Sequence, residues 1–425
     1  MITRASDILV VEGFVPGRSP GEKTRRRIEI DTATGLIESV GDPQDAGDLV
    51  LGDDDLVLPG FADLHVHARE DVSGLEAHKE TFATAGRAAI RGGVTAFADM
   101  PNNPEPPADD ASYAAKRDLA KSAPLDVLLY AAVGPRTRPL SFPAPYKVYM
   151  SESVGGLSFR SAAELRETLA RYRGLWVAFH AEDPGVLARC RHAPTHAKRR
   201  PPEAEVRAIE TALELSESFH IEPHICHLST AEGLETIRRA RRAGVPVTCE
   251  VAPHHLFYDQ DNASGHARPG FLQVNPPIRS RLDRIALLEA LKAGEIDWIA
   301  TDHAPHTIEE KEAGASGLPH LDTLGAFVWW LAEEGVSWAA IREACAERPG
   351  RFLSRYLRGR YGRIEPGFVG SLTILRRGAY TVRRGELETR AGWSPFEGFT
   401  FPGRAGHAVV RGAVYPQIGA PEAPD

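Results

Sequence analysis

Cysteine is scarce in this chain, with four residues in 425, at positions 190, 226, 249 and 345. That scatter contains no CxxC pair and excludes a disulfide framework, so reduced thiols in the cytoplasm are the expectation. Long apolar runs are also missing: no stretch reaches the roughly 18 residues that a membrane span requires. The start, Met1-Ile-Thr-Arg-Ala-Ser-Asp7, leads into only a short apolar segment without a signal-peptide core. Positive charge is not in excess, and a net charge of −8 gives no electrostatic reason to expect nucleic acid or an anionic membrane as partner. The basic run Ala197-Lys-Arg-Arg-Pro201 is short and reads as a solvated loop.

What remains is the profile of a globular enzyme, with 42% hydrophobic and 25% charged residues. The length suits a barrel of roughly 250 residues with an appended domain. Short strands bounded by Gly, Pro and Asp turns occupy the beginning (Asp7–Val11, Arg27–Ile30, Gly35–Val40, Leu56–Leu58) and return near the end (Ser371–Leu375, Thr381–Val382, His407–Arg411). Between them, apolar strand-like segments ending at His67, Asp99, Val133, Met150, His180, His227, Val251 and Asp302 alternate with helical patterns such as Glu203–Phe219 and Ala231–Ala243. The expected fold is α/β: a (β/α)8 TIM-like barrel over residues 58–360, with a small β-sandwich domain formed by both chain termini, 1–57 and 361–425.

In such barrels the chemistry sits at the carboxyl ends of the strands. Here those ends are rich in metal-ligand types. His65 and His67 stand two apart, so on an extended strand both imidazoles share a face. His180, His227 and Asp302 close later strands, and Lys147 interrupts the otherwise apolar Tyr146-Lys-Val-Tyr-Met150. Imidazole and carboxylate are good zinc ligands, whereas an ammonium has no lone pair to offer. A buried amine, however, loses its proton more readily, and a neutral amine can capture carbon dioxide to give a carbamate that spans two metals. Arg69, two residues beyond His67, adds a guanidinium able to grip a carboxylate with two parallel hydrogen bonds. Cys226 and Glu250 are chemically able to bind a further metal, but strict strand alternation turns Cys226 away from His227. His224, His254, His255 and His303 read as packing residues or supports for the ligands.

These segments resemble the amidohydrolase superfamily, and within it the dihydroorotases of the type found in the animal multifunctional pyrimidine-synthesis protein. The resemblance is carried by Pro59-Gly-Phe-Ala-Asp-Leu-His-Val-His-Ala-Arg-Glu70, Asp99-Met-Pro-Asn-Asn103, Lys147-Val-Tyr-Met150, His180-Ala-Glu182, His224-Ile-Cys-His227, Pro246-Val-Thr-Cys-Glu-Val-Ala-Pro-His-His-Leu-Phe257, Val274-Asn-Pro-Pro277 and Thr301-Asp-His-Ala-Pro-His306. By position it implies two Zn2+ per chain: His65, His67 and Asp302 on one, His180 and His227 on the other, with an N6-carboxylated Lys147 bridging both. Asp302 is implied as the catalytic proton carrier. Arg69, Asn102 and His306 are implied to bind the substrate carboxylate, and Asn275 and the backbone near Gly317 to contact its ring. The implied reaction is the reversible interconversion of L-dihydroorotate and N-carbamoyl-L-aspartate in de novo pyrimidine (UMP) biosynthesis.

Two segments depart from the family pattern. Ser151-Glu-Ser-Val-Gly-Gly156 lacks the Thr-Phe of the animal loop at Ser153 and Val154, and His320-Leu-Asp-Thr323 replaces a Gly-Leu-Glu-Thr pattern. Neither touches an expected zinc ligand. A related cyclic amidase (allantoinase, hydantoinase or dihydropyrimidinase) would share the barrel and metals, but its neutral ring supplies no carboxylate for Arg69. A non-catalytic scaffold should have lost ligands, and this chain retains all six. The sequence leaves open a homo-oligomer or an aspartate transcarbamoylase partner.

Overall fold

Eight parallel strand positions form a closed ring in the middle of the chain, in a computed structural model that describes residues 7–17, 19 and 21–416. The first six residues, read above for a signal segment, lie outside the described residues. The strands are Phe61–Val66, Val94–Asp99, the pair Asp126–Leu129 and Ala131–Val133, Tyr146–Tyr149, Trp176–His180, Glu222–Ile225, Thr248–Val251 and Trp298–Ile299. Every neighbouring pair runs parallel. A parallel bridge from Val66 to His303 closes the ring between its last and first members. This is the expected (β/α)8 barrel.

The strands are almost wholly buried because helices cover their outer faces and side chains fill the interior. Helices Pro202–Phe219 and Ala231–Arg242 fall where the apolar periodicity places them. Their starts have different causes: Pro202 occupies the first turn of one without a side-chain cap, whereas Thr230, immediately after the sixth-strand histidines, caps the other by accepting from Gly233 N at 3.0 Å. The third strand is broken at Tyr130, whose hydroxyl crosses the interior to donate to Leu64 O at 3.1 Å. The eighth is only two residues long, so Asp302 lies on the loop beyond it rather than at its last rung.

Both termini contribute to one eight-stranded sheet. Its seam is the antiparallel pairing of Asp55–Pro59 with Leu372–Arg376, locked by Arg376 to Asp55 contacts of 2.8 and 3.0 Å. The sheet curls so that Leu36 bridges Val369, and Leu9, Ile28, Ile37, Val57, Ile374 and Val409 share one core. The two sequence pieces near 371–382 are a single bulged strand, Leu372–Thr381.

One excursion leaves this sheet between its last strands and packs on the barrel. The backbone N–H groups of Glu388 and Thr389 donate to Asp322, at 2.6 and 3.2 Å. Trp393 Nε1 donates to His306 O at 2.8 Å. Among the described residues no helix is long and apolar enough to cross a membrane.

Candidate active site

A cavity of about 330 Å3 opens at the carboxyl ends of the barrel strands. Its wall includes His65, His67, Arg69, Asn102, His180, His227, Asn275, Asp302, His306 and Gly317, so residues far apart in sequence share one chamber. Lys147 lies fully buried beneath it, on the fourth strand.

His65 and His67 project from the first strand on one side, as the two-residue period requires. Their Nε2 atoms each stand 3.3 Å from Asp302 Oδ1, and the three residues can hold a metal ion together. Across the chamber His180 Nδ1 faces His227 Nε2 at 2.8 Å. Burial lowers the pKa of His65, His67 and His227 below the ordinary 6.5. The neutral imidazole, which is the ligating form, is therefore the resting state. Burial raises the Asp302 carboxyl, opposed by His65 and Lys147, which makes it a better proton acceptor than an exposed aspartate.

The imidazole rings of the chamber are held from behind. Glu250 accepts from His65 Nδ1, from His224 Nε2 at 3.1 Å and from Trp298 Nε1 at 2.9 Å. Burial acts to raise Glu250, but the His65 and His224 imidazoles outweigh it and keep this carboxyl well below the usual range. His67 Nδ1 donates to Asn102 Oδ1 at 2.8 Å, and Glu182 accepts from His180 Nε2 at 3.0 Å. Such outer partners fix which nitrogen faces the metal. Residue type alone marks Glu250 as a possible ligand, not as the acceptor shared by His65, His224 and Trp298; His224 is itself stacked on Trp176 and Trp298.

The expectation that Cys226 alternates away from the site is corrected by the backbone. The sixth strand ends at Ile225 and His227 has φ 35°, so alternation fails at this turn. Cys226 Sγ instead accepts from Lys147 Nζ at 2.7 Å, and with His65 and Glu250 forms a second group capable of holding a metal. Arg69 (φ 62°) and Asp302 (φ 47°) are left-handed as well. Three non-glycine residues in that region around one chamber is local strain of about 1–3 kcal/mol each, concentrated where side chains must be aimed.

Arg69 is buried at the cavity wall, with Nη2 3.3 Å from His306 Nε2 and Nε without a hydrogen-bond partner. Among the described residues it forms no ion pair with a carboxylate. Burial, with Arg69 and Lys79 adding to it, lowers His306 to about 3, and its Nδ1 bonds Glu310 at 3.0 Å. Asn275 Oδ1 is also buried without a partner. The chamber thus combines a metal-binding group with a buried cation that lacks a carboxylate partner among the described residues, and with unpaired polar atoms.

Comparison with known proteins agrees with this chemistry. The amidohydrolase family model matches residues 56–412. A dihydroorotase of Thermococcus kodakarensis is 36% identical over 403 residues, 93% of this chain and 91% of that protein. A dihydroorotase of Pyrococcus furiosus is 34% identical over 363 residues, 84% of this chain and 81% of that protein. Among solved structures, an L-hydantoinase (dihydropyrimidinase) from Arthrobacter aurescens superposes with a TM-score of 0.84 at 24% identity, covering 96% of both chains, a likeness of fold.

Proposed function

Because this chain belongs to the amidohydrolase family, we propose that it is a dihydroorotase, interconverting L-dihydroorotate and N-carbamoyl-L-aspartate in pyrimidine biosynthesis. The observation that carries this choice is Arg69: a buried guanidinium on the cavity wall, without a carboxylate partner among the described residues. A buried cation left unpaired is costly, and a substrate carboxylate would supply its counter-ion. The curated relatives described above are dihydroorotases, which supports the same reading.

In this reading His65, His67 and Asp302 would hold one zinc ion, His180 and His227 would hold a second, and Lys147, once N6-carboxylated, would serve as a further ligand. The donor set fits: burial favours the neutral, ligating form of His65, His67 and His227, and Lys147 is buried with a thiol as its hydrogen-bond partner. When bound, the metals supply Lewis acidity and bring the pKa of water near neutrality. The chain's own residues do the rest. Arg69, with Asn102 and His306, holds the substrate carboxylate. Asn275 and the Gly317 backbone meet the ring, fixing its amide carbonyl above Asp302. Asp302 accepts a proton from the attacking water as the new C–O bond forms, then delivers it to the ring nitrogen as the C–N bond breaks. The reverse sequence closes N-carbamoyl-L-aspartate and releases water.

The deciding experiment compares hydrolysis of dihydroorotate, dihydrouracil, hydantoin and allantoin by the metal-loaded protein. Dihydroorotate should be the preferred substrate. Faster turnover of any neutral ring would overturn the assignment.

A further inference from the structure

The short helix Ile308–Glu312 follows the Asp302–His306 loop, and Lys311 on it is 2% exposed. Its Nζ donates to three backbone carbonyls: Gln273 O at 3.1 Å, Ala315 O at 2.6 Å and Gly317 O at 2.9 Å. An ammonium has three N–H donors, so each is used. The acceptors come from two different loops, which also meet directly, with Gly317 N donating to Gln273 O at 3.0 Å. Gln273 Nε2 returns a bond to Gly314 O and another, at 3.2 Å, to Ser316 Oγ.

No carboxylate pairs with Lys311 among the described residues, and burial brings its pKa down to about 7. A lysine kept in so dry a position is a net cost unless its donors do something an apolar side chain cannot. Here they gather three carbonyl oxygens of two loops around one point, and they give the buried Gly317 carbonyl its hydrogen bond. The Trp393 ring lies 5.7 Å from Nζ and seals the site from the side.

Both fastened loops end in the catalytic chamber. Asn275 lies two residues beyond Gln273, and its buried Oδ1 has no partner. Gly317 lines the same cavity at φ 140°, where a Cβ would collide with Ala304 O, so this backbone approaches the chamber closely. We infer that Lys311 is a positioning residue: its ammonium ties the Gln273–Asn275 loop to the Gly314–Gly317 loop, setting the spacing between Asn275 Oδ1 and the Gly317 backbone that ring recognition uses. The substrate half of this role rests on the cyclic-amide reading of the chamber; the tie between the loops does not.

Two substitutions test it, Lys311→Met with no donor and Lys311→Gln with two. Hydrogen–deuterium exchange on the metal-loaded protein without substrate should show faster exchange across residues 314–318 in Lys311→Met, and an intermediate change in Lys311→Gln. With substrate, KM should rise about 10–100-fold in Lys311→Met, kcat should change much less, and Lys311→Gln should recover part of the loss. A lower melting temperature with unchanged KM and unchanged local exchange would reduce Lys311 to a packing residue and overturn the proposal. If the wild type prefers a neutral ring to dihydroorotate, the functional assignment fails, while exchange and the KM for that ring still decide the role of Lys311.

Discussion

Lys147 Nζ donates to Cys226 Sγ at 2.7 Å beneath the histidine cluster, and no carboxylate among the described residues forms an ion pair with it. A buried ammonium facing a thiol and several imidazoles is poorly compensated, and burial pushes that thiol's own ionisation up beyond reach. The proposed carboxylation of the amine would reverse this, exchanging a cation for an anion that bound metals would stabilise.

Lys147→Ala should therefore lose metal and activity together, by more than the roughly 10–100-fold typical of substitutions behind a ligand. If the proposed carbamate forms, a short carboxylic acid such as propionate should restore part of both, because its carboxylate can occupy the space left by the truncated side chain. Lys147→Met, which fills that space, should not respond. Metal content and rate are measured with and without the acid. A Lys147→Ala protein with its full metal complement and normal rate would eliminate the bridge.

Glu250→Gln tests the support behind His65. The amide still accepts one hydrogen bond, but the charge that polarises His65 and His224 is gone. Metal affinity should drop about 10–100-fold, and the melting temperature of the metal-loaded protein should fall too, because the new NH2 group meets buried donors that the carboxylate had satisfied. Competition with a chelator reads the first quantity and thermal unfolding the second.

Local patterns carried much of this site. The two-residue period of a strand places His65 beside His67, and a lysine inside an apolar strand marks Lys147 before any coordinates are known. The order of polar strand ends also reveals the barrel. What stayed hidden depends on contacts remote in sequence. Glu250 reaches His65 across 185 positions, and the His67 to Asn102 bond depends on how two strand ends approach. The turn at His227 defeated the alternation rule for Cys226, because periodicity holds only while the strand continues. Nor does any periodicity report that the segment around Trp393 leaves the terminal sheet to hold His306 O.

Asp322 makes stability depend on pH. It is buried, accepts from the Glu388 and Thr389 amides, and burial raises its pKa from 3.8 to about 6. The native state thus keeps this proton to higher pH than the unfolded chain does. Between about pH 4 and 6 the unfolded state binds fewer protons, so this group's contribution to stability falls as pH rises, then levels off. The loss is of the order of 3 kcal/mol. Asp322→Asn removes the titration. Relative to wild type, the variant should gain stability between pH 4 and 7, and denaturant melts at the two pH values measure the change. A constant difference would show that Asp322 is not protonated in the native protein.

Arg69→Met addresses substrate choice. Methionine retains a Cβ at φ 62°, so the backbone strain is common to both proteins and cancels in the comparison. It also fills most of the same volume, leaving the charge as the main difference. If the guanidinium holds the substrate carboxylate, transition-state stabilisation of about 2–5 kcal/mol should be lost, so kcat/KM for dihydroorotate should fall by a factor of roughly 30 to several thousand. Because forward and reverse kcat/KM are tied by one equilibrium constant, the same factor must appear with N-carbamoyl-L-aspartate. Dihydrouracil lacks the carboxylate, so whatever slow hydrolysis it undergoes should change little. Arg69→Lys keeps the charge but not the planar fork, and should fall between the two proteins. Equal losses on dihydroorotate and dihydrouracil would mean that Arg69 shapes the chamber rather than selects the anion, and would remove the main reason for preferring a carboxylated ring.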